Sequence, residues 1–243
     1  MDEEYLVKDR FQDVLLSAIY NSVQEADTLI FKGGTALRKI YGIDRYSDDL
    51  DFTLNDRKAA ADTDSYIYDL RNKCIAMLSP MYVARMYVHK NKRGSYQIDA
   101  NLKDNLANMA KIRIEIKIAR VFLPSLEKRV IAPNTTYIAS VMAINEMIAE
   151  KISAVYTRRN IENMARDMVD IAFLKEHGGK FDLELTNEKL KEDGHKQFTA
   201  STFSARTRLL TESVWQRDLN KIMGKVPDRN RIMRQVADFV KRK

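Results

Sequence analysis

Phe31-Lys32-Gly33-Gly34-Thr35-Ala36-Leu37, followed after a short gap by Ser47-Asp48-Asp49-Leu50-Asp51-Phe52, is the stretch that decides the reading of this chain. The apolar run Leu29-Ile30-Phe31 predicts a short buried strand, which breaks at two glycines before a helix-forming segment over 36–41. A strand, a Gly-Gly turn and a helix start therefore meet. Glycines let a backbone approach a ligand with no Cβ in the way, and the unpaired N–H groups of a first helical turn favour an anion. Thr35 is placed either to cap that helix or to lend its hydroxyl to a phosphate oxygen. Taken alone, the turn reads equally well as an ordinary strand-to-helix connection.

The segment after the gap sharpens the signal. Leu50, Phe52 and Leu54 alternate as the inner face of a half-buried strand over 49–54, which sends Asp49 and Asp51 together to the other face. Two carboxylates on one strand face repel unless cations lie between them, and such hard oxygen ligands suit Mg2+. Two such ions roughly 3.5–4 Å apart hold the attacking and leaving oxygens of a phosphoryl or nucleotidyl transfer. A solvated polar face is the plain alternative for a lone Asp-x-Asp. Its position just after a Gly-Gly-Thr turn favours the chemical reading.

Further along, K-I-R-I-E-I-K-I-A over 111–119 alternates cleanly, with Ile112, Ile114, Ile116 and Ile118 on one face and Arg113, Glu115 and Lys117 on the other. Laid beside the 49–54 strand, Glu115 would complete a carboxylate triad as third metal ligand or as base for the attacking hydroxyl. As a charge on the wet side of a strand it equally needs no function. Over 141–159, Ile144, Met147, Ile148, Ile152 and Val155 form a helical stripe. Lys151 projects within about 20° of Ile144, into that stripe. It must snorkel, pair with an acid, or reach a polar cavity where a triphosphate is a fitting partner. The next helix, over 161–177, carries Arg166, Asp167 and Asp170 among apolar neighbours on nearly all sides, and a carboxylate in that setting needs a partner. Arg166 is the expected partner of Asp167. Asp170 is left open between a structural arginine, Arg166 one turn earlier or Arg158 or Arg159 from the preceding helix, and a cleft opposite Lys151.

In combination, F-K-G-G-T-A-L, S-D-D-L-D-F, R-I-E-I, N-E-M-I-A-E-K-I-S-A-V-Y-T-R and R-D-M-V-D-I-A-F-L resemble, in this order over 28–174, the AbiEii/AbiGii family of nucleotidyltransferase-like toxins. The resemblance implies an α+β fold of the DNA polymerase β type, with a mixed sheet flanked by helices and a helical C-terminal half. It also implies a growth-inhibiting toxin of the type IV toxin–antitoxin and abortive-infection kind, which transfers a nucleotide from an NTP to RNA, tRNA in particular. A cognate antitoxin is among the partners it allows. Carried over by position, Asp49, Asp51 and Glu115 match the metal ligands, with Mg2+ or Mn2+ as cofactor. Catalytic roles fall to Asp49, Asp51, Glu115, Lys151 and Asp170. Nucleotide contacts fall to Lys32, Gly33, Gly34, Thr35, Arg45, Ser47, Lys151 and Asp167. Nucleotidyltransferases of the wider fold often have Gly-Ser where this chain has Gly-Thr, which keeps the hydroxyl.

Composition bounds the alternatives. The chain has 243 residues and 45% hydrophobic content, enough to bury a full core. No apolar run approaches the ~20 residues of a membrane span, and the start M-D-E-E-Y lacks a signal peptide's features, so a cytoplasmic location is expected. One cysteine, Cys74, and scattered His89, His177 and His195 argue against thiol, imidazole or zinc chemistry. A net charge of +7 and a pI near 9.3 suit an anionic macromolecule. Basic clusters occur at Lys90, Lys92 and Arg93 and at the terminal Lys241, Arg242 and Lys243.

Helices are expected over 5–26 and 57–78, and strands over 82–89, 96–102 and 111–119. Everything after Pro133 reads as helical, including segments over 206–223 and 229–240, with Trp215 and the methionines as core filling. The division expected is 1–132 for the nucleotidyltransferase core and 133–243 for a helical domain that completes the cleft. A metal-dependent nuclease is a competing reading, because Asp49, Asp51 and Glu115-Ile116-Lys117 loosely match a D…E-x-K site. It leaves the Gly-Gly-Thr turn and Lys151 unexplained. A non-catalytic RNA- or partner-binding module leaves the full set of acids unexplained.

Overall fold

The computed structural model describes residues 3–241 apart from 24, 26, 58–61, 92–93, 107, 133–134, 159–160 and 162. Lys92 and Arg93 of the basic turn, Arg159, and the terminal Arg242 and Lys243 therefore lie outside the described residues. By compactness the chain divides into one unit of Met1–Gly42 and Tyr46–Met142 and a second of Ile43–Arg45 and Ala143–Lys243. The division falls later than the break expected after Ala132.

In the first unit, α1 (Glu3–Ser22) precedes β1 (Leu29–Lys32), and β1 leads straight into α2 (Gly33–Ala36), continued by a π-helical turn, Leu37–Tyr41. β2 (Leu50–Asn55), α3 (Thr63–Leu78), β3 (Val83–Lys90), β4 (Tyr96–Lys103), β5 (Met109–Ala119), β6 (Leu126–Ala132) and β7 (Thr135–Val141) follow. The strands form one 7-stranded mixed sheet in the order β3-β4-β5-β2-β1-β7-β6. β2 runs parallel to β5, β1 runs parallel to β7, and the other neighbours are antiparallel. Along β2, Leu50, Phe52 and Leu54 are fully buried, and along β5 so are Ile112, Ile114 and Ile116. Period-two alternation thus produces the inner layer, on which α1 packs through Phe11, Leu15, Leu16 and Ile19.

Two sequence expectations give way here. The second helix begins at Thr63 rather than near Arg57, because the Asp62 carboxylate accepts the Ser65 N–H and caps it. The chain after Pro133 is not all helical, since 135–141 is β7, which pairs with both β6 and β1. Tyr137, Ala139 and Val141 point inward while Thr136 and Ile138 face out. That alternation is short and is broken by the buried Ser140, whose carbonyl accepts the Tyr20 hydroxyl at 3.0 Å. β6 buries only Val130 and carries Glu127, Lys128 and Arg129, as a charged edge strand does to discourage pairing with other chains.

The second unit is helical: α4 (Ile144–Thr157), α5 (Met164–Glu176), α6 (Leu183–Glu192), α7 (Ala200–Thr207), α8 (Glu212–Leu219) and α9 (Arg229–Lys241). Trp215 is fully buried and its Nε1–H donates to the Pro227 carbonyl at 2.9 Å, so it is core, as its sequence context suggested. Gly179 packs so closely that a Cβ there would lie 2.4 Å from Ile148, which fixes how the end of α5 meets α4. Among the described residues no helix is long and apolar enough to cross a membrane.

Candidate active site

The glycine corner and the acidic strand meet closely at Gly33 and Asp51. Lys32 at the end of β1 stands opposite Asp51 on β2. The next residue, Gly33, has φ +75, and a Cβ built there would lie 2.1 Å from Asp51 Oδ2. Only glycine fits both that left-handed backbone and that space. Gly33→Ala is accordingly expected to displace the Asp51 carboxylate. A loss of at least about tenfold in kcat, with about 1–3 kcal/mol of stability lost to backbone strain, would be read from steady-state kinetics and a denaturant melt.

Thr35 is fully buried, and its hydroxyl donates to the Asp49 carbonyl at 2.6 Å. It does not cap the helix; the N-cap position belongs to Lys32, which makes no side-chain cap bond. Its contact ties the helical turn to the segment that leads into β2. That segment is also held from α1, where Gln12 Nε2 donates to the carbonyls of Ser47 (2.8 Å) and Asp48 (3.2 Å) and Lys8 Nζ donates to Asp48 Oδ1 at 2.8 Å.

The parallel register of β2 and β5 sets Asp51 directly beside Glu115. Glu115 is half exposed, with Arg113 Nη1 at 3.9 Å from its Oε1. Asp49 lies just ahead of β2 and is half-buried. Burial pushes its carboxyl pKa up; Arg113 counters this, while Glu115 and Asp48 reinforce it. Asp49 lines a cavity of about 470 Å³ with Lys8, Asp48, Lys111 and Arg113. Asp51 and Glu115 line a neighbouring one of about 290 Å³ with Lys32, Tyr96, Gln97 and Lys117. Asp51 and Glu115 thus share one cavity while Asp49 lines another, and among the described residues no group of three acids, histidines or cysteines is drawn together as a metal cage. The donors fit a hard cation, because all are carboxylate oxygens, and burial raises the Asp49 carboxyl despite Arg113 and Lys8 nearby, so a bound cation would favour its ionised form.

A second cluster lies within the helical unit. Lys151 lies on α4 and Arg158 is the residue just past its end. Lys151 Nζ is 2.9 Å from Asp167 Oδ1 and 2.8 Å from Asp170 Oδ2, both on α5. Arg158 Nη2 meets Asp167 Oδ2 at 2.9 Å. Arg45 forks onto Asp170, with Nε–Oδ1 at 2.6 Å and Nη2–Oδ2 at 2.7 Å. Burial alone would lower the Lys151 pKa and raise that of Asp170. Asp167 and Asp170 outweigh it for the lysine, and Arg45 and Lys151 do so for the acid, so the lysine is raised and the carboxyl lowered. Arg45 is therefore not an exposed cation, being 3% accessible. Asp167 pairs with Lys151 and Arg158 rather than Arg166, because adjacent helical residues diverge by about 100°.

Arg113, as neighbour of Asp49, and the α1 residues Lys8 and Gln12 had no assigned part in the sequence reading. Arg113 was legible, two places before Glu115 on the same strand face. Lys8 and Gln12 carry only the i, i+4 spacing of a polar helical stripe.

Comparison with known proteins agrees with this architecture. The AbiEii family model, described as "Nucleotidyl transferase AbiEii toxin, Type IV TA system", matches residues 14–241. MenT4, a nucleotidyltransferase toxin from Mycobacterium tuberculosis H37Rv, superposes with a TM-score of 0.70 at 18% identity, covering 98% of this chain and 84% of MenT4. JHP933 from Helicobacter pylori gives 0.61 at 16% identity, covering 99% and 92%. At such identities the structures establish the fold: a mixed sheet flanked by helices with a helical C-terminal half. No curated protein sequence matches the chain.

Proposed function

This chain belongs to the AbiEii family of nucleotidyl transferase toxins, and on that premise we propose that it transfers a nucleotide from an NTP to RNA, with tRNA as the target class. Nucleotidyl transfer and a toxin role follow from the family; the acceptor, the metal and the residue roles are this reading's own. The observation that carries it is the contact of Gly33 with Asp51, which makes one construction of a phosphate-turn backbone and a carboxylate beside Glu115.

Asp49 and Asp51 would hold Mg2+ or Mn2+, with Glu115 beside them as third ligand or as base. When bound, such an ion supplies Lewis-acid neutralisation of phosphate charge. Gly33, Gly34 and Lys32 present backbone and charge to the triphosphate, Thr35 serves through the Asp49 backbone it holds, and Ser47 lies in the segment that Gln12 ties down. In the helical unit, Arg45, Lys151 and Arg158 pair with Asp167 and Asp170. Lys151 and Arg158 are the partly exposed members, at 17% and 33%, so we assign them to the triphosphate, with Arg45, Asp167 and Asp170 positioning them. A cognate antitoxin is the expected protein partner.

The test is incubation of the purified protein with each labelled NTP and total RNA, with and without a chelator. Label is expected in RNA with one NTP favoured, in a tRNA-sized band, and chelation should remove it. Label transfer that survives full chelation would remove the metal from the reading, and an acceptor other than RNA would remove the RNA.

A further inference from the structure

The wet face of the sheet continues from Asp51 and Glu115 over β5, β4 and β3, and strand register fixes what stands beside what. Glu115 pairs with Gln97, which pairs with His89; Arg113 pairs with Asp99 and then Tyr87; Lys111 pairs with Asn101 and then Arg85. The last such row runs Met109, Lys103, Val83. Residues of the opposite parity, such as Ile114, Ile98 and Met86, are buried.

Scattered exposed apolar residues are ordinary, but here three share one face: Tyr87 at 52%, Val83 at 61% and Met109 at 71% exposure. They are interleaved with Arg85, Lys103, Lys111 and Arg113, all exposed. Asp99, the acid in the middle of this patch, already has Lys111 at 3.3 Å and His89 at 3.9 Å. An exposed ring on a sheet, flanked by cations on neighbouring strands, has the composition of a platform for single-stranded nucleic acid. A greasy face made for a protein partner would carry fewer charges at its centre. The patch also leads somewhere, because Lys111 and Arg113 line the cavity that contains Asp49. Tyr87 stands two strand spacings from Arg113, about 10 Å, which a few nucleotides span.

We propose that this face holds the single-stranded end of the acceptor RNA, with a base stacked on Tyr87, backbone phosphates on Arg85, Lys111 and Arg113, and the terminal hydroxyl led along β5 towards Asp49 and Asp51. The proposal rests on the RNA reading above. Its test uses Tyr87→Ala, Tyr87→Phe and Arg85→Glu in the full chain, since these exposed side chains touch neither the acids nor the glycine corner. Binding of a fluorescent single-stranded RNA oligonucleotide is measured by anisotropy at several salt concentrations, and KM is measured separately for RNA and NTP.

Tyr87→Ala is expected to weaken RNA binding and raise the RNA KM about tenfold, and Tyr87→Phe, which keeps the ring, to change neither. Arg85→Glu should reduce the slope of log affinity against log salt by about one. The NTP KM stays put in all three. Unchanged RNA binding in both Tyr87→Ala and Arg85→Glu overturns the proposal and gives the face to a protein partner; so does an NTP KM that rises in step, or a wild type that binds no RNA. If transfer proves to use another acceptor, the reading above falls, and the binding measurements still decide this one.

Discussion

Asp51→Ala is expected to lower kcat for nucleotide transfer by about 10³-fold or more while leaving the protein folded. Asp51 lies against Glu115 in the sheet register and beside the Gly33 backbone, where the acidic strand meets the phosphate turn. A carboxylate that positions a divalent ion at transferring phosphate contributes several kcal/mol to the transition state, and each 1.36 kcal/mol is tenfold in rate. The fold should tolerate the change. Asp51 is only half-buried, and the strand is held by Leu50, Phe52 and Leu54, all fully buried. A shift in Tm within about 2 °C is expected, as for substitutions away from the core. Single-turnover label transfer at saturating NTP, beside a thermal melt, separates the two effects. Turnover within tenfold of wild type would remove Asp51 from the chemistry.

The sheet and this corner were largely legible because their signals are local. A Gly-Gly step after three apolar residues, Asp-x-Asp in an alternating run and the isoleucine ladder of β5 each fix a face within a few residues. The contact between Gly33 and Asp51 was not, since it depends on the antiparallel register of β1 and β2, which neither strand specifies alone. The β6–β7 hairpin escaped for a different reason. Tyr137, Ala139 and Val141 give only a short alternation, and β6 buries just Val130, so burial on a sheet edge leaves almost no pattern to read. In the helical unit the periodicity placed Lys151 and Asp170 on core-facing positions without naming their partners. Arg45 lies 125 positions from Asp170 in the chain, so their pairing has no spacing signature.

Asp170→Ala should be the most destabilising of these substitutions, by about 3–5 kcal/mol, with Tm lower by about 6–20 °C. Asp170 is 0% exposed and takes both a fork from Arg45 and the Lys151 ammonium; alanine would remove the buried carboxylate that both the 3% exposed guanidinium and that lysine pair with. The pH dependence carries the same signature. Because Arg45 and Lys151 hold the Asp170 carboxyl below its ordinary value against the effect of burial, its contribution is present above the normal carboxylate range and is lost as pH falls through the depressed folded value. Melts across the acid range should show that loss in the wild type and not in Asp170→Asn. Lys151→Ala then separates architecture from catalysis. With the lysine gone, Asp170 keeps Arg45 and Asp167 keeps Arg158, so both acids stay paired and stability should fall far less than in Asp170→Ala. If Lys151 steadies the triphosphate, that variant loses kcat/KM for NTP while retaining its Tm. A Tm drop equal to that of Asp170→Ala, or unchanged kinetics for NTP, would show that the lysine is there only to balance buried charge.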